Sequence, residues 1–451
     1  MHHKARWVVK GFEQREGLDY NETFASVVKP MSYKALFAIA AAKDLEIEQM
    51  DVKTAFLYGA IEEDIYMEQP MGFENSDLVC KLNKALYGLK QSPRVWYNTF
   101  TQFLKELGFT ALSSDLCIFH NSGTYIAVFV DDLLIVGPSK SDINEMKEKL
   151  NIRFHMTDLG PCHYYLGMEV SRDRQNRTIH LSQKGYIEKV LRDFSMWECK
   201  PNATPMETST TTTLEQPDDQ YRAEPELLKW YQSAVGSLMY AMLGTRPDIA
   251  FAISVVSRYA SNPTTQHQTA VKRVFRYLRG SVNLRLTFRG DLKFLTGYSD
   301  ADWAGDRNTR RSTSGYIFNV GSGAISWSSK QQPTVALSTC EAEYIGQTHA
   351  AKEAIWLKAL IDQLNPENSS PMATIIYGDN QGAIALAKNP QFHARTKHID
   401  IQHHFIREKI NEGKIELKYV PTAEQVADGL TKALCKDKFL AFRHALGLEE
   451  Y

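Results

Sequence analysis

Along the first 200 or so residues, short apolar runs rich in β-branched and aromatic residues alternate with amphipathic stretches of helical period, the pattern of a mixed α+β domain. Residues 205–224 break it. They are rich in Thr, Glu, Pro and Asp, nearly free of large apolar side chains, and read as a linker or mobile loop. Helical spacing returns at 230–243, 248–260 and 265–279, and a second strand-and-helix alternation runs from 294 nearly to the end. No repeat of solenoid length interrupts this order. The predicted organisation is one domain to about 170, helical segments from 171 to 290, and a further domain over 291–445.

The clearest chemistry lies inside the most apolar peptide, Tyr125-Ile-Ala-Val-Phe-Val-Asp131-Asp132-Leu-Leu-Ile-Val-Gly137. The two runs predict a β-hairpin with both aspartates at its tip. A plain solvent-facing turn also uses Asp, but the common tight turns pair it with Gly, which is missing here. Adjacent like charges on buried strands are costly without a cation to compensate them. A third carboxylate, Asp51, ends a short extended run in Glu48-Gln-Met-Asp51-Val-Lys-Thr-Ala-Phe56. Three aspartates with no histidine nearby select a hard divalent ion, Mg²⁺ being the natural candidate.

In the second half, Phe294-Leu-Thr-Gly-Tyr-Ser-Asp300 ends a strand on an acid, as does Ala373-Thr-Ile-Ile-Tyr-Gly-Asp379. Ser338-Thr-Cys-Glu341 has the form of a capping box opening a long helix that also bears Glu343. Asp428 is placed on a last helix beginning near Thr422. Each acid alone could be an ordinary surface residue; their order along the elements is the signal. His393, His398, His403 and His404 lack a zinc-enzyme spacing and fit a solvated helix face. Trp303, Trp327 and Trp356 read as core.

Composition changes the picture little. The chain has 451 residues, 43% of them hydrophobic and 23% charged, and a net charge of −1. That is a globular profile without a membrane-length apolar run. Six scattered cysteines without a C-x-x-C pair argue against a disulfide framework or zinc module. A basic stripe of Lys272, Arg273, Arg276, Arg279, Arg285 and Arg289 could hold phosphates or form a solvated helix face.

Taken together, Asp51-x-x-x-Ala-Phe56, Leu86-Tyr-Gly-Leu-Lys-Gln-Ser-Pro93 and Val-Asp131-Asp132-Leu resemble the palm motifs of reverse transcriptases, in the wording of copia-type LTR retrotransposons. The second half resembles the ribonuclease H fold. The resemblance implies an α+β protein with fingers, palm and thumb followed by a ribonuclease H-like mixed sheet. It implies RNA-directed DNA synthesis and cleavage of the RNA strand of an RNA–DNA hybrid, with two Mg²⁺ ions at each site. Asp51 and Asp131, with Asp132 adjacent, would be the palm metal ligands, and Asp300, Glu343, Asp379 and Asp428 those of the second site. Phe56 would exclude a ribose 2′-hydroxyl, Gly88 and Gln91 would support the nucleotide, and Lys4, Arg6 and Lys10 would meet triphosphate. The 154–169 segment resembles the hairpin that grips the primer end. Expected partners are RNA template, DNA primer, RNA–DNA hybrid and deoxynucleoside triphosphates, with no membrane. The expected place is the cytoplasm, in virus-like particles, with nuclear access. The opening Met-His-His-Lys leaves out fingers strands that the family has, so a non-catalytic hybrid-binding relic is the competing reading. A domesticated structural protein would have lost carboxylates, and none is missing.

Overall fold

In the computed structural model, described over residues 6–209, 214–290, 295–369, 371–388 and 400–451 with side chains omitted at 400–404, the β-branched runs of the first half pair into one antiparallel sheet. The elements in order are α1 (Pro30–Lys43), β1 (Glu46–Val52), β2 (Tyr66–Met67), β3 (Cys80–Lys81), α2 (Ser92–Glu106) and β4 (Thr110–Ala111). β5 (Ile118–Asn121), β6 (Thr124–Phe129), β7 (Asp132–Gly137), α3 (Lys140–Arg153) and β8 (Met156–Pro161) follow. The sheet order is β4-β5-β6-β7-β1-β8, with β2 and β3 forming a separate pair. β6 and β7 are buried nearly throughout, which is why they read as continuous apolar runs instead of alternating. α2 lays Trp96, Phe100 and Leu104, one helical turn apart, onto the sheet, and α3 adds Ile143, Met146 and Leu150. Each such buried side chain contributes about 1.5–3 kcal/mol over its exposed state. Lys147 on α3 ties to β1 and β8 through Glu48 at 2.6 Å and Asp158 at 2.7 Å.

The chain divides into two compact units, residues 1–33 with 45–162 and residues 34–44 with 163–451. The second contains β9 (Tyr164–Tyr165), β10 (Met168–Asp173), β11 (Thr178–Ser182), α4 (Lys184–Asp193), α5 (Pro225–Gly244), α6 (Ala250–Ser257), α7 (Thr265–Gly280) and β12 (Leu284–Arg289). It continues through β13 (Leu295–Ala301), β14 (Thr313–Val320), β15 (Gly323–Gln331), α8 (Thr339–Leu364), β16 (Thr374–Gly378) and α9 (Gln381–Lys388). α10 (Asp400–Asn411), β17 (Ile415–Tyr419), α11 (Lys436–Ala445) and β18 (Leu448–Glu450) complete it. One sheet has the order β15-β14-β13-β16-β17, antiparallel on one side of β13 and parallel on the other, the strand–hairpin–helix series expected from the sequence.

Three expectations change here. A second sheet, β18-β12-β11-β10-β9, pairs the carboxy-terminal strand with β12 and so places the 171–290 segments and the last domain in one unit. The expected 154–169 hairpin is two pairings: β8 borders β1, while β9 turns through Leu166 and Gly167 into β10. The Thr-rich stretch is docked at its described positions. Leu214 is buried, its carbonyl accepts from Tyr259, the Glu215 carbonyl meets His267, and the Tyr221 hydroxyl donates to the Pro263 carbonyl. One apolar anchor and these backbone bonds offset its polar composition.

Three of the six cations of the basic stripe are tied down within the fold. Arg276 and Arg279 donate to the Lys200 and Trp197 carbonyls at 2.7 Å, Arg279 lies 4.3 Å from the Trp197 ring centroid, and Arg273 pairs with Glu207. Those three arginines fasten 197–207 to α7 instead of forming a free phosphate track. The three tryptophans are not core residues either: Trp303 is half exposed, and Trp327 and Trp356 are partly buried. All six cysteines are free thiols, and among the described residues no helix is long and apolar enough to cross a membrane.

Candidate active sites

In the first unit, Asp51 and Asp132 are direct partners across β1 and β7, so their side chains leave the same face. Asp131 joins them through a two-residue turn, Val130-Asp131, between paired Phe129 and Asp132. The Val52 amide donates to the Asp131 carbonyl at 2.9 Å, closing the turn against β1. Val130 has φ 56°, a conformation that a β-branched residue adopts only under strain. Two contacts hold it: the Trp96 indole donates to the Val130 carbonyl at 2.7 Å, and the Val130 side chain packs against the core. Burial raises the Asp132 carboxyl above its usual range, the Asp131 and Asp51 charges add to this, and Gln49 offsets part of it by hydrogen bonding.

Phe56 lies on a single 3-10 turn, Ala55–Tyr58, half-buried with its ring centroid 4.7 Å from that of Tyr87. The Tyr87 hydroxyl is pushed up by burial first and then by Asp131, while Arg6, 5.6 Å from the ring, pulls the other way. Tyr87 is therefore the aromatic link between Phe56 and the acids, a residue that motif reading passed over. Gly88 has φ +99°, and a Cβ there would come within 2.0 Å of the Val9 carbonyl oxygen, so close backbone approach accounts for it. Gln91 is buried, and its amide is committed to the Asp19 carbonyl at 2.8 Å and to Gln14 at 3.0 Å. Its geometry is structural, in contrast to the expected nucleotide contact. Lys10 is exposed and pairs with Glu13 at 3.9 Å. Lys4, His393 and His398 lie outside the described residues, as do the side chains of His403 and His404.

In the second unit, Asp300 on β13, Glu343 on α8 and Asp379 just after β16 each offer an oxygen, all within 4.8 Å of one another. Among the described residues this is the one group of three potential ligands so close; the palm trio is more open. Glu343 and Asp300 are both buried, and Glu343 Oε2 has no hydrogen-bond partner. Burial raises both carboxyls well above the carboxylate range, and the neighbouring acids push further. Thr431 donates to Asp300, and Thr422 donates to Asp379 at 2.7 Å. Asp428 stands beside the trio, with Lys432 Nζ 2.8 Å from its Oδ1. It rides a 3-10 turn, Val426–Leu430, instead of the expected helix. Gln425 keeps that turn tight by accepting from the Ala427 amide and donating to the Ser299 carbonyl. Thr431 and Lys432 were missed from sequence, although their spacing of three and four from Asp428 is what a helical turn brings to one side.

Glu341 separates from Glu343 as the helix geometry requires. Ser338 accepts from the Glu341 amide at 3.1 Å, and the Glu341 carboxylate accepts from the Leu337 amide at 2.9 Å. It thus binds the Leu337 amide, one residue before the Ser338 N-cap amide that a capping box uses, while Glu343 faces the acids.

Residues 1–208 match the family described as reverse transcriptase (RNA-dependent DNA polymerase). The retrovirus-related Pol polyprotein from transposon TNT 1-94 of Nicotiana tabacum is 46% identical over 99% of this chain and 34% of its own length. That from transposon RE1 of Arabidopsis thaliana is 40% identical over 99% of this chain and 30% of its own length. The putative transposon Ty5-1 protein of Saccharomyces cerevisiae is 33% identical over 67% of this chain and 100% of its own length. The chain therefore spans about a third of the Pol polyproteins it matches. A solved foamy viral protease-reverse transcriptase in complex with dsDNA aligns with TM-score 0.47 and 14% identity over 84% of this chain and 68% of that one. The chain belongs to the copia-type retrotransposon Pol family and contains its reverse transcriptase domain.

Proposed function

We propose that the chain copies an RNA template into DNA from a DNA primer at the Asp51–Asp131–Asp132 site, and cleaves the RNA strand of the resulting hybrid at the Asp300–Glu343–Asp379–Asp428 site. The observation that carries the reading is the presence of two acid clusters, each built wholly within its own unit. Both donor sets are all-oxygen, as a hard ion such as Mg²⁺ requires, and the unpartnered Glu343 oxygen is a ligand atom that no protein group satisfies. Two such ions would activate the attacking hydroxyl or water and offset charge on the leaving oxygen.

The residues' own work is positional. The β1–β7 register sets Asp51 opposite Asp132, and the strained turn holds the partly buried Asp131 at the hairpin tip. Phe56 and Tyr87 shape the wall beside the acids, where deoxynucleoside triphosphate would lie. In the second site, Thr431 and Thr422 fix the Asp300 and Asp379 carboxylates through hydroxyl hydrogen bonds. Work in cytoplasmic virus-like particles, with access to the nucleus, follows from the same reading.

The test separates the two sites. Asp131→Asn should abolish primer extension on an RNA template while hybrid cleavage stays within about twofold of the parent; Asp379→Asn should do the reverse. Each change removes charge from one cluster only, and a one-unit change in charge balance at a metal site is worth several kcal/mol. Loss of both activities from either variant with the fold intact by circular dichroism would refute the two-site reading.

A further inference from the structure

Lys432 is a cation held against the acids of the second site, and the sequence motifs give it no role. Lys432 Nζ lies 2.8 Å from Asp428 Oδ1, and Asp300, Asp428 and Asp379 are all electrostatic neighbours of that ammonium. Asp428 in turn feels Asp379, and Asp300 feels Asp428. Asp300, Asp379 and Asp428 therefore share the Lys432 charge, and Lys438 adds to it at Asp428. The division of labour is uneven: Asp300, Glu343 and Asp379 form the tight group, while Asp428 is the one paired with Lys432. The Lys432 side chain is about half exposed, at 47%, so it can swing into water without leaving a cavity. It sits on the chain beside Thr431, whose hydroxyl already holds Asp300, so the dipeptide reaches both halves of the cluster.

An ammonium and a divalent ion compete for one carboxylate oxygen, because each repels the other at this range more strongly than water screens. We propose that Lys432 is an internal cation that occupies the Asp428 side of the site in the metal-free protein and must release Asp428 before a second divalent ion binds there. Lys432 is then a positioning residue that makes the second ion the weaker of two and ties its loading to displacement of a side chain. The inference rests on the hybrid-cleaving reading of this site only for its consequence in catalysis; the competition itself is a property of metal binding.

The experiment is calorimetric titration of Mg²⁺ into the full chain without nucleic acid, comparing the parent with Lys432→Met and Lys432→Arg. The palm acids contribute equally to all three and cancel in the comparison. Lys432→Met should tighten the weaker binding step on the order of tenfold, the effect of removing one nearby charge. Lys432→Arg, which keeps the charge, should leave that step weak. In an Asp428→Asn background the Lys432→Met change should have no further effect, because the contested oxygen is gone. Identical isotherms for parent and Lys432→Met, weaker binding in Lys432→Met, or no Mg²⁺ binding by any of the chains would overturn the proposal. Hybrid cleavage adds a second readout: half-saturating Mg²⁺ should fall in Lys432→Met. A tightened isotherm in a chain whose parent cleaves no hybrid would support Lys432 as competitor and reject the cleavage reading. Cleavage with unchanged isotherms would do the opposite.

Discussion

Phe56 and Tyr87 are packing residues of the first unit, and the proposed function gives Phe56 a second role in selecting the sugar. Phe56 is half-buried against the palm core, and its 4.7 Å ring contact sets it beside a tyrosine that senses Asp131. Core neighbours hold the Phe56 ring on one side, and in the proposed function its other side limits the space beside the acids. Phe56→Val removes ring volume from that wall. Its stability cost should be about 1–2 kcal/mol, at the low end for large-to-small changes because the ring is only partly buried. Its effect on selection should be larger. The ratio of deoxynucleotide to ribonucleotide kcat/KM in primer extension should fall on the order of tenfold or more, since a smaller side chain leaves room for a 2′-hydroxyl. An active variant with the parental ratio would reduce Phe56 to a packing residue and shift attention to Tyr87.

At the scale of the element, α8 carries two acids with opposite duties. Glu341 closes the helix entrance by accepting from the Leu337 amide, and Glu343, about 200° further round the helix, reaches Asp300 and Asp379. Glu341→Gln should leave hybrid cleavage within about twofold and cost about 1 kcal/mol or less, because an amide oxygen still accepts at the cap. Glu343→Gln should reduce cleavage by more than a hundredfold, measured on a labelled hybrid. Equal losses from both changes would reverse the assignment. These duties were readable from sequence because they depend on spacing along one helix. The same holds for the β6–β7 hairpin, whose apolar runs and missing glycine announce buried strands and a constrained turn. Contacts made across the chain were not readable. Nothing local to Gln91 shows that its amide is taken by Gln14 and Asp19, and nothing local to the 205–224 composition shows that Leu214 is an anchor. The Asp428 helix was misread for a related reason, since the Gln425 side chain that tightens its turn bonds to Ser299 on a distant strand.

Over the whole second unit, titration and metal binding oppose one another. Burial and mutual repulsion raise the Asp300, Glu343 and Asp428 carboxyls, and burial raises Asp302 to about 6. An acid whose folded pKa exceeds its unfolded value of about 4 binds more protons when folded, so its contribution to stability is present at low pH and lost as pH rises through the folded pKa. His180, lowered to about 4, and His267, also lowered, work in the other direction: each is held neutral by burial, and its contribution is lost as pH falls below about 6.5. A single stability curve mixes these terms, so the informative measurement is a difference. In EDTA, the parent should lose stability relative to Glu343→Gln as pH rises from 6 to 8.5, with a slope of at most about 1.4 kcal/mol per pH unit for one titrating group, while the histidine terms cancel. Saturating Mg²⁺ should reverse the order, stabilising the parent more than the variant and by more at high pH, because the ligands must be deprotonated to bind. Thermal melts of both proteins, with and without Mg²⁺, read both effects. Parallel pH curves for the two proteins in EDTA would mean that Glu343 ionises freely in the folded protein and that the buried cluster carries no stored repulsion for a metal ion to relieve.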